Sequence, residues 1–251
     1  SCSTSDMQPA TFVATATAVS RVQCNPVIAD VGDDSWSLTP DLARQVAGSI
    51  KLDAVMPVAT FGRPQNVGQW DAFERETGIP VIIDAAGAFG NQRAAEMAGV
   101  VFSFHATKSF GAAEGCAVAS PSPERIQCIR RLSNFGLDPR SGDLVELGTN
   151  GKMSEYHCAL GLASFDMWPS VKERRRSLYQ NYMQRLRKAC PGLIFQEKPE
   201  DGIYPLMAVL LPEGHRSTEV GRALTGQGIE TRKWYTPALH QQPALRQCSI
   251  V

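Results

Sequence analysis

The stretch IPVIIDAAGAFG, residues 79–90, decides how this chain is read, together with VVFSFHATKSFGAAEGC, residues 100–116. Each begins as a short apolar run and breaks into small or polar residues. A strand buried on both faces and ending in a turn has this form. Asp84 closes the first run, Ser103 closes the second, and Lys108 stands just beyond it, before Gly111-Ala112-Ala113-Glu114-Gly115.

Further strands are expected at residues 26–31, 53–58 and 116–120. They alternate with helices over residues 12–22 and 42–50, the latter capped by Thr39 and started by Pro40 and Asp41. A third helix, opened by Asn66 and stopped at Gly78, carries Trp70 and Phe73 on one face. Strands spaced by helices define an α/β fold with a mostly parallel sheet, whose ligands bind beyond the carboxyl ends of the strands. From Met153 a helix should bury Met153, Tyr156, Leu160, Ala163 and Met167 and end at Trp168-Pro169. A second, charged helix should span 171–190 with Leu178, Tyr182 and Leu186 as its buried stripe. Strand 205–211, helix 218–225 and strand 229–232 then suggest a small α+β unit. The chain thus divides into a large domain, 1–168, and a connecting helix with a small C-terminal domain, 169–251.

Composition narrows the function. Hydrophobic residues make up 43% and charged residues 20% of 251, as in ordinary globular proteins. Twenty-five basic residues balance 25 acidic ones, which speaks against a nucleic-acid or acidic-membrane partner. No run reaches the roughly 18 apolar residues of a membrane span, and residues 1–10 lack the features of a signal peptide. The seven cysteines form no CxxC pair, so reduced thiols in a cytoplasmic protein and no metal site are expected.

Asp84 and Lys108 make chemical sense as a pair. A pyridine-ring cofactor withdraws electrons only while its ring nitrogen stays protonated, which calls for a carboxylate partner. The same cofactor needs a lysine amine to form a Schiff base, and its phosphate needs hydroxyls such as Ser103.

Five stretches, in order, resemble the DegT/StrS sugar-aminotransferase family: TFVATATAV (11–19), DAAGAFG (84–90), SFHATKSFGAAEGC (103–116), GTNGKMSEYHCALGLASFD (148–166) and GIETRKWYTPALHQQP (228–243). The resemblance implies a fold-type I, pyridoxal-phosphate-dependent homodimer with shared active sites. It implies transfer of an amino group from glutamate to a nucleotide-linked keto-sugar, in amino-sugar biosynthesis. Lys108 matches the Schiff-base lysine and Asp84 the carboxylate on the pyridine nitrogen. Ser103 matches a phosphate-binding hydroxyl, Phe12 the aromatic stacked on the ring, and Asn150 an asparagine reaching the neighbouring subunit's cofactor phosphate. Ser3 and Thr4 correspond to a remnant of the phosphate loop, and Trp234, Tyr235 and His240 to substrate-side residues. Glu114 falls in the glycine-rich loop, and His105 where the family also has histidine.

Three departures stand out. Gly87 replaces the glutamine or histidine that usually contacts the cofactor's ring hydroxyl. The helix expected between the phosphate loop and residue 11 is missing, and the chain stops at Val251, where relatives continue. Two other readings share the scaffold: a silent or regulatory homologue, and a sugar dehydratase, against which Lys108 argues because such members carry histidine there.

Overall fold

The computed structural model describes the backbone of residues 4–7 and, in full, residues 11–246 and 248–250. In chain order the elements are β1 (Thr4–Met7), α1 (Val13–Arg21), β2 (Asn25–Ile28), α2 (Pro40–Ser49), β3 (Leu52–Met56), α3 (Val67–Thr77), β4 (Ile82–Asp84), β5 (Gly99–Ser103) and β6 (Cys116–Ala119). There follow α4 (Pro123–Leu132), α5 (Glu155–Ala189), β7 (Ile194–Phe195), β8 (Val209–Leu210), α6 (Ser217–Thr225) and β9 (Ser249–Ile250).

Local signals explain most of these boundaries. Thr39, Asn66, Ser122 and Ser154 each accept a first-turn N–H, from Leu42, Gln69, Arg125 and His157 respectively. Gly78 ends α3 in the left-handed conformation, φ 69°.

Strands β3, β1, β2 and β9 lie side by side and parallel. Strand β4 is parallel to β5, which pairs antiparallel with β6. Bridges Val55–Val81 and Val58–Asp84 join the two groups at β3 and β4. The core beneath is Val27, Leu38, Val55, Trp70, Phe73, Val81, Ile83 and Val100. Buried polar groups there are satisfied: Trp70 donates to Gln65, and Asp71 accepts the N–H groups of Glu96, Met97 and Ala98, shaping the entry to β5. Leu239 and Leu245 pack on Ala16, Val19 and Ile28, so the C-terminal segment returns to α1 and feeds β9 into the large sheet.

Several expectations are corrected. First, Trp168-Pro169 does not end the helix: α5 runs 35 residues with Pro169 inside it. An interior proline loses one backbone hydrogen bond and costs roughly 3 kcal/mol. Trp168, half-buried, packs against Phe89 and Phe110, each 5.5 Å away between ring centroids, and those contacts offset part of that cost. Gly90, at φ 91°, leaves the room, since a Cβ there would meet Trp168 at 2.8 Å and Ile203 at 2.9 Å.

Second, the first apolar stripe of α5 is not core: Tyr156 is 86% exposed, Leu160 51% and Met167 63%, because nothing within the described residues covers that face. Third, in its second half Leu178 and Tyr182 are exposed, while Tyr179 is buried against Tyr204, 4.6 Å away. Residues 229–232 also form no strand, for no described strand lies beside them to pair with.

Fourth, Cys24 is disulfide-bonded, whereas Cys116, Cys128, Cys158, Cys190 and Cys248 are free. Spacing along the chain does not reveal which thiols folding brings together.

Candidate functional site

Parallel strands put their carboxyl ends on one edge, and Asp84 ends β4 there, opposite Val101 of β5. Alternation places Ser103 on the same face as Val101. The Asp84 carboxylate is held from two sides. Its Oδ1 accepts the Ala86 N–H at 3.0 Å, and its Oδ2 accepts the Thr15 hydroxyl at 2.8 Å. Thr15 lies in the first turn of α1, three residues after Phe12, which is largely exposed at the N-terminus of that helix.

Lys108 sits at the tip of the loop joining β5 and β6. Bonds from Phe104 N–H to Gly115 O, Ala106 N–H to Ala113 O and Ala112 N–H to Phe104 O lace the loop across its base. The Lys108 N–H donates to His105 O, forming a tight turn. Two residues on, Phe110 is buried among Phe89, Phe104, Phe165 and Trp168. Ser164 of α5 donates to Gly111 O. The lysine therefore stands on an anchored loop while its own side chain is half-buried.

His105 and Glu114 act on this loop. His105 Nε2 lies 3.4 Å from Glu114 Oε1, and Nδ1 lies 2.8 Å from Thr107 Oγ1. Both side chains brace the loop from its exposed side.

Residues 228–243 supply a further wall. Burial, followed by the negative charge of Asp84, pushes the Tyr235 phenol well above its ordinary value. Its ring stacks on Phe61, with planes 9° apart and centroids 6.2 Å apart. Trp234 and Trp36 meet Phe61 edge-on at 6.3 and 6.2 Å. Phe61 holds a left-handed backbone, φ 53°, a conformation costing roughly 1–2 kcal/mol in a non-glycine residue.

The structure thus brings Asp84, Thr15 and Tyr235 together, with Ser103 on the next strand. His240 is half-buried on the short turn anchored by Leu239. Asn150 stands apart on an exposed loop, its backbone bridged to Asn134. Ser3 lies outside the described residues, and of Thr4 only the strand backbone is described. Phe61 and Trp36 fall in no quoted motif, and Thr15, although inside the 11–19 stretch, is not marked there by any signal of its own; only the fold ties them to the Asp84 edge. Among the described residues no group of three or more His, Cys, Asp and Glu could hold a metal. No described helix is long and apolar enough to cross a membrane.

This architecture is that of the fold-type I aminotransferases. A putative PLP-dependent aminotransferase from Bacillus cereus superposes with a TM-score of 0.91 at 30% identity, over 100% of this chain and 70% of its own. The DegT/DnrJ/EryC1/StrS aminotransferase family matches residues 7–249, and the chain belongs to that family. It is 31% identical over 245 residues to the erythromycin biosynthesis sensory transduction protein EryC1 of Saccharopolyspora erythraea, covering 93% of this chain and 64% of that protein. It is 30% identical over 251 residues to the dTDP-4-amino-4,6-dideoxy-D-glucose transaminase of Escherichia coli, covering 95% and 66%. The chain therefore spans just under two thirds of these relatives.

Proposed function

We propose that this chain carries the cofactor site of a pyridoxal-phosphate-dependent aminotransferase that moves an amino group from glutamate to a nucleotide-linked keto-sugar. One observation carries the reading: Asp84, a carboxylate held by two donors at the carboxyl edge of the sheet, lies one strand away from the anchored loop that bears Lys108. Membership of the family and the likeness to a sugar transaminase of E. coli support it.

The residues fit the cofactor. Asp84 offers a fixed anion to a protonated ring nitrogen, Lys108 an amine to the aldehyde, and Ser103 a hydroxyl to the phosphate. Phe12 presents an exposed ring for stacking. When bound, pyridoxal phosphate supplies an electron sink for charge developing at the amino-acid α-carbon. Lys108 is then the base that takes the α-proton and the acid that returns it, while Asp84 keeps its partner nitrogen protonated. Trp234, Tyr235 and His240 form the sugar side. We assign Tyr156, Leu162 and the neighbouring apolar residues of α5 to contact with a second copy, in whose site Asn150 would take part.

A regulatory homologue is the second reading, favoured by the name of EryC1 and by Gly87, which offers the ring hydroxyl no side chain. Visible absorption separates the two. Purified chain mixed with pyridoxal phosphate should develop the band of the lysine-bound cofactor, and glutamate should bleach it. A band that forms but ignores glutamate and other amino acids favours the regulatory reading, and no band at all overturns the proposal.

A further inference from the structure

The hydroxyl of Thr15 makes an unusual choice. Threonines in helices commonly donate back to the carbonyl four residues earlier. Thr17, Thr77 and Thr225 do so here, to Val13, Phe73 and Gly221. Thr15 instead reaches out of α1 to Asp84 Oδ2, 69 positions along the chain.

Behind it, Thr11 Oγ1 lies 2.8 Å from Thr15 Oγ1, and the two residues are 1% and 3% exposed. A hydroxyl has a single proton to donate. Since that of Thr15 is directed to the carboxylate, Thr11 must donate to Thr15. The relay runs Thr11 to Thr15 to Asp84, and its polarity is set by the acceptor at its end. With Oδ1 held by the Ala86 N–H, both oxygens are tied and the carboxylate cannot rotate about its χ2. Each oxygen keeps one further acceptor direction.

We propose that Thr15, backed by Thr11, is a positioning residue that fixes the plane of the Asp84 carboxylate for the cofactor's ring nitrogen. The role rests on the reading of Asp84 given above. It explains why Thr15 is buried in the first turn of α1 with its hydroxyl turned to Asp84 and not back to its own helix, and why Thr11, equally buried just ahead of the helix, donates to it.

Thr15→Val keeps the shape and removes the donor; Thr15→Ser keeps the donor and removes a methyl. Two readouts independent of turnover apply. In cofactor-free protein labelled with carboxyl-13C aspartate, the infrared band lost in Asp84→Asn identifies the Asp84 carboxylate. That band should move in Thr15→Val and return in Thr15→Ser. Pyridoxal phosphate should bind about tenfold more weakly to Thr15→Val, the effect of one charge-assisted hydrogen bond, with altered visible circular dichroism, and Thr15→Ser should restore both.

An unmoved band with wild-type cofactor binding in Thr15→Val overturns the proposal, as does a Thr15→Ser variant as impaired as Thr15→Val, which would reveal a packing role. If Thr15→Val fails to fold, Thr11→Val makes the same comparison one bond further out. It should move the Asp84 band in the same direction, and an unmoved band there also overturns the proposal. If the band moves but wild type takes up no pyridoxal phosphate, the hydrogen bond is real while the cofactor reading, and with it the positioning role, falls.

Discussion

Phe61 and Tyr235 stack almost parallel, joining the turn after β3 to the segment that closes over the Asp84 edge. That contact holds a half-buried phenol, its pKa raised by burial and by the charge of Asp84, on the side assigned to the sugar. Removing only the hydroxyl, in Tyr235→Phe, leaves the stack intact. It should raise the KM for the sugar about two- to tenfold, the range for one neutral hydrogen bond, and leave cofactor uptake unchanged. Steady-state kinetics beside a pyridoxal-phosphate titration checks both.

Gly90 permits the path of α5 past the sheet. Gly90→Ala adds a Cβ into Trp168 and Ile203 at a positive φ. Backbone strain and overpacking together should cost about 2–4 kcal/mol, read as a lower urea midpoint. An unchanged midpoint would mean that Trp168 does not fix this turn.

Lys198 gives the chain a pH signature. Its ammonium lies over the rings of Tyr204 and Tyr179, at 4.0 and 4.9 Å, and burial lowers its pKa to about 8. The unfolded chain then binds more protons than the folded one between about 8 and the ordinary lysine value near 10.4. Stability from this group should therefore be lowest and flat below pH 8, and rise from there to about pH 10. Urea midpoints against pH should show that rise in wild type and lose it in Lys198→Met.

The exposed apolar face of α5 predicts association. Leu162→Glu, at a site 70% exposed, leaves the core of the protomer untouched. Sedimentation should find wild type as a dimer and Leu162→Glu as a monomer with an unchanged far-ultraviolet spectrum. A monomeric wild type would remove the second copy from the proposal.

What could be read in the sequence was what local chemistry decides. Thr39, Asn66 and Gly78 mark helix ends through bonds within a turn, and Asp84 and Ser103 stand at strand ends that apolar runs announce, with Lys108 in the loop just beyond. What could not be read depends on distant partners. Helix α5 survives Pro169 because Trp168 finds a pocket formed by Phe89, Phe110 and Gly90, residues far along the chain. Periodicity identified an apolar stripe on α5 but not what covers it, so Tyr156 and Leu160 were expected in the core. Thr15 and Phe61 become site residues only through contacts with Asp84 and Tyr235.

Lys108 is the residue proposed to hold pyridoxal phosphate. Borohydride reduction of the loaded chain, followed by peptide mass spectrometry, identifies the lysine that holds it, because Lys198, with its lowered pKa, is an internal competitor for the aldehyde. The pyridoxyl adduct should appear on the peptide containing Lys108 at one equivalent of cofactor, and Lys108→Ala should remove it. An adduct on Lys198 or spread over surface lysines, with Lys108 unmodified, would contradict the claim.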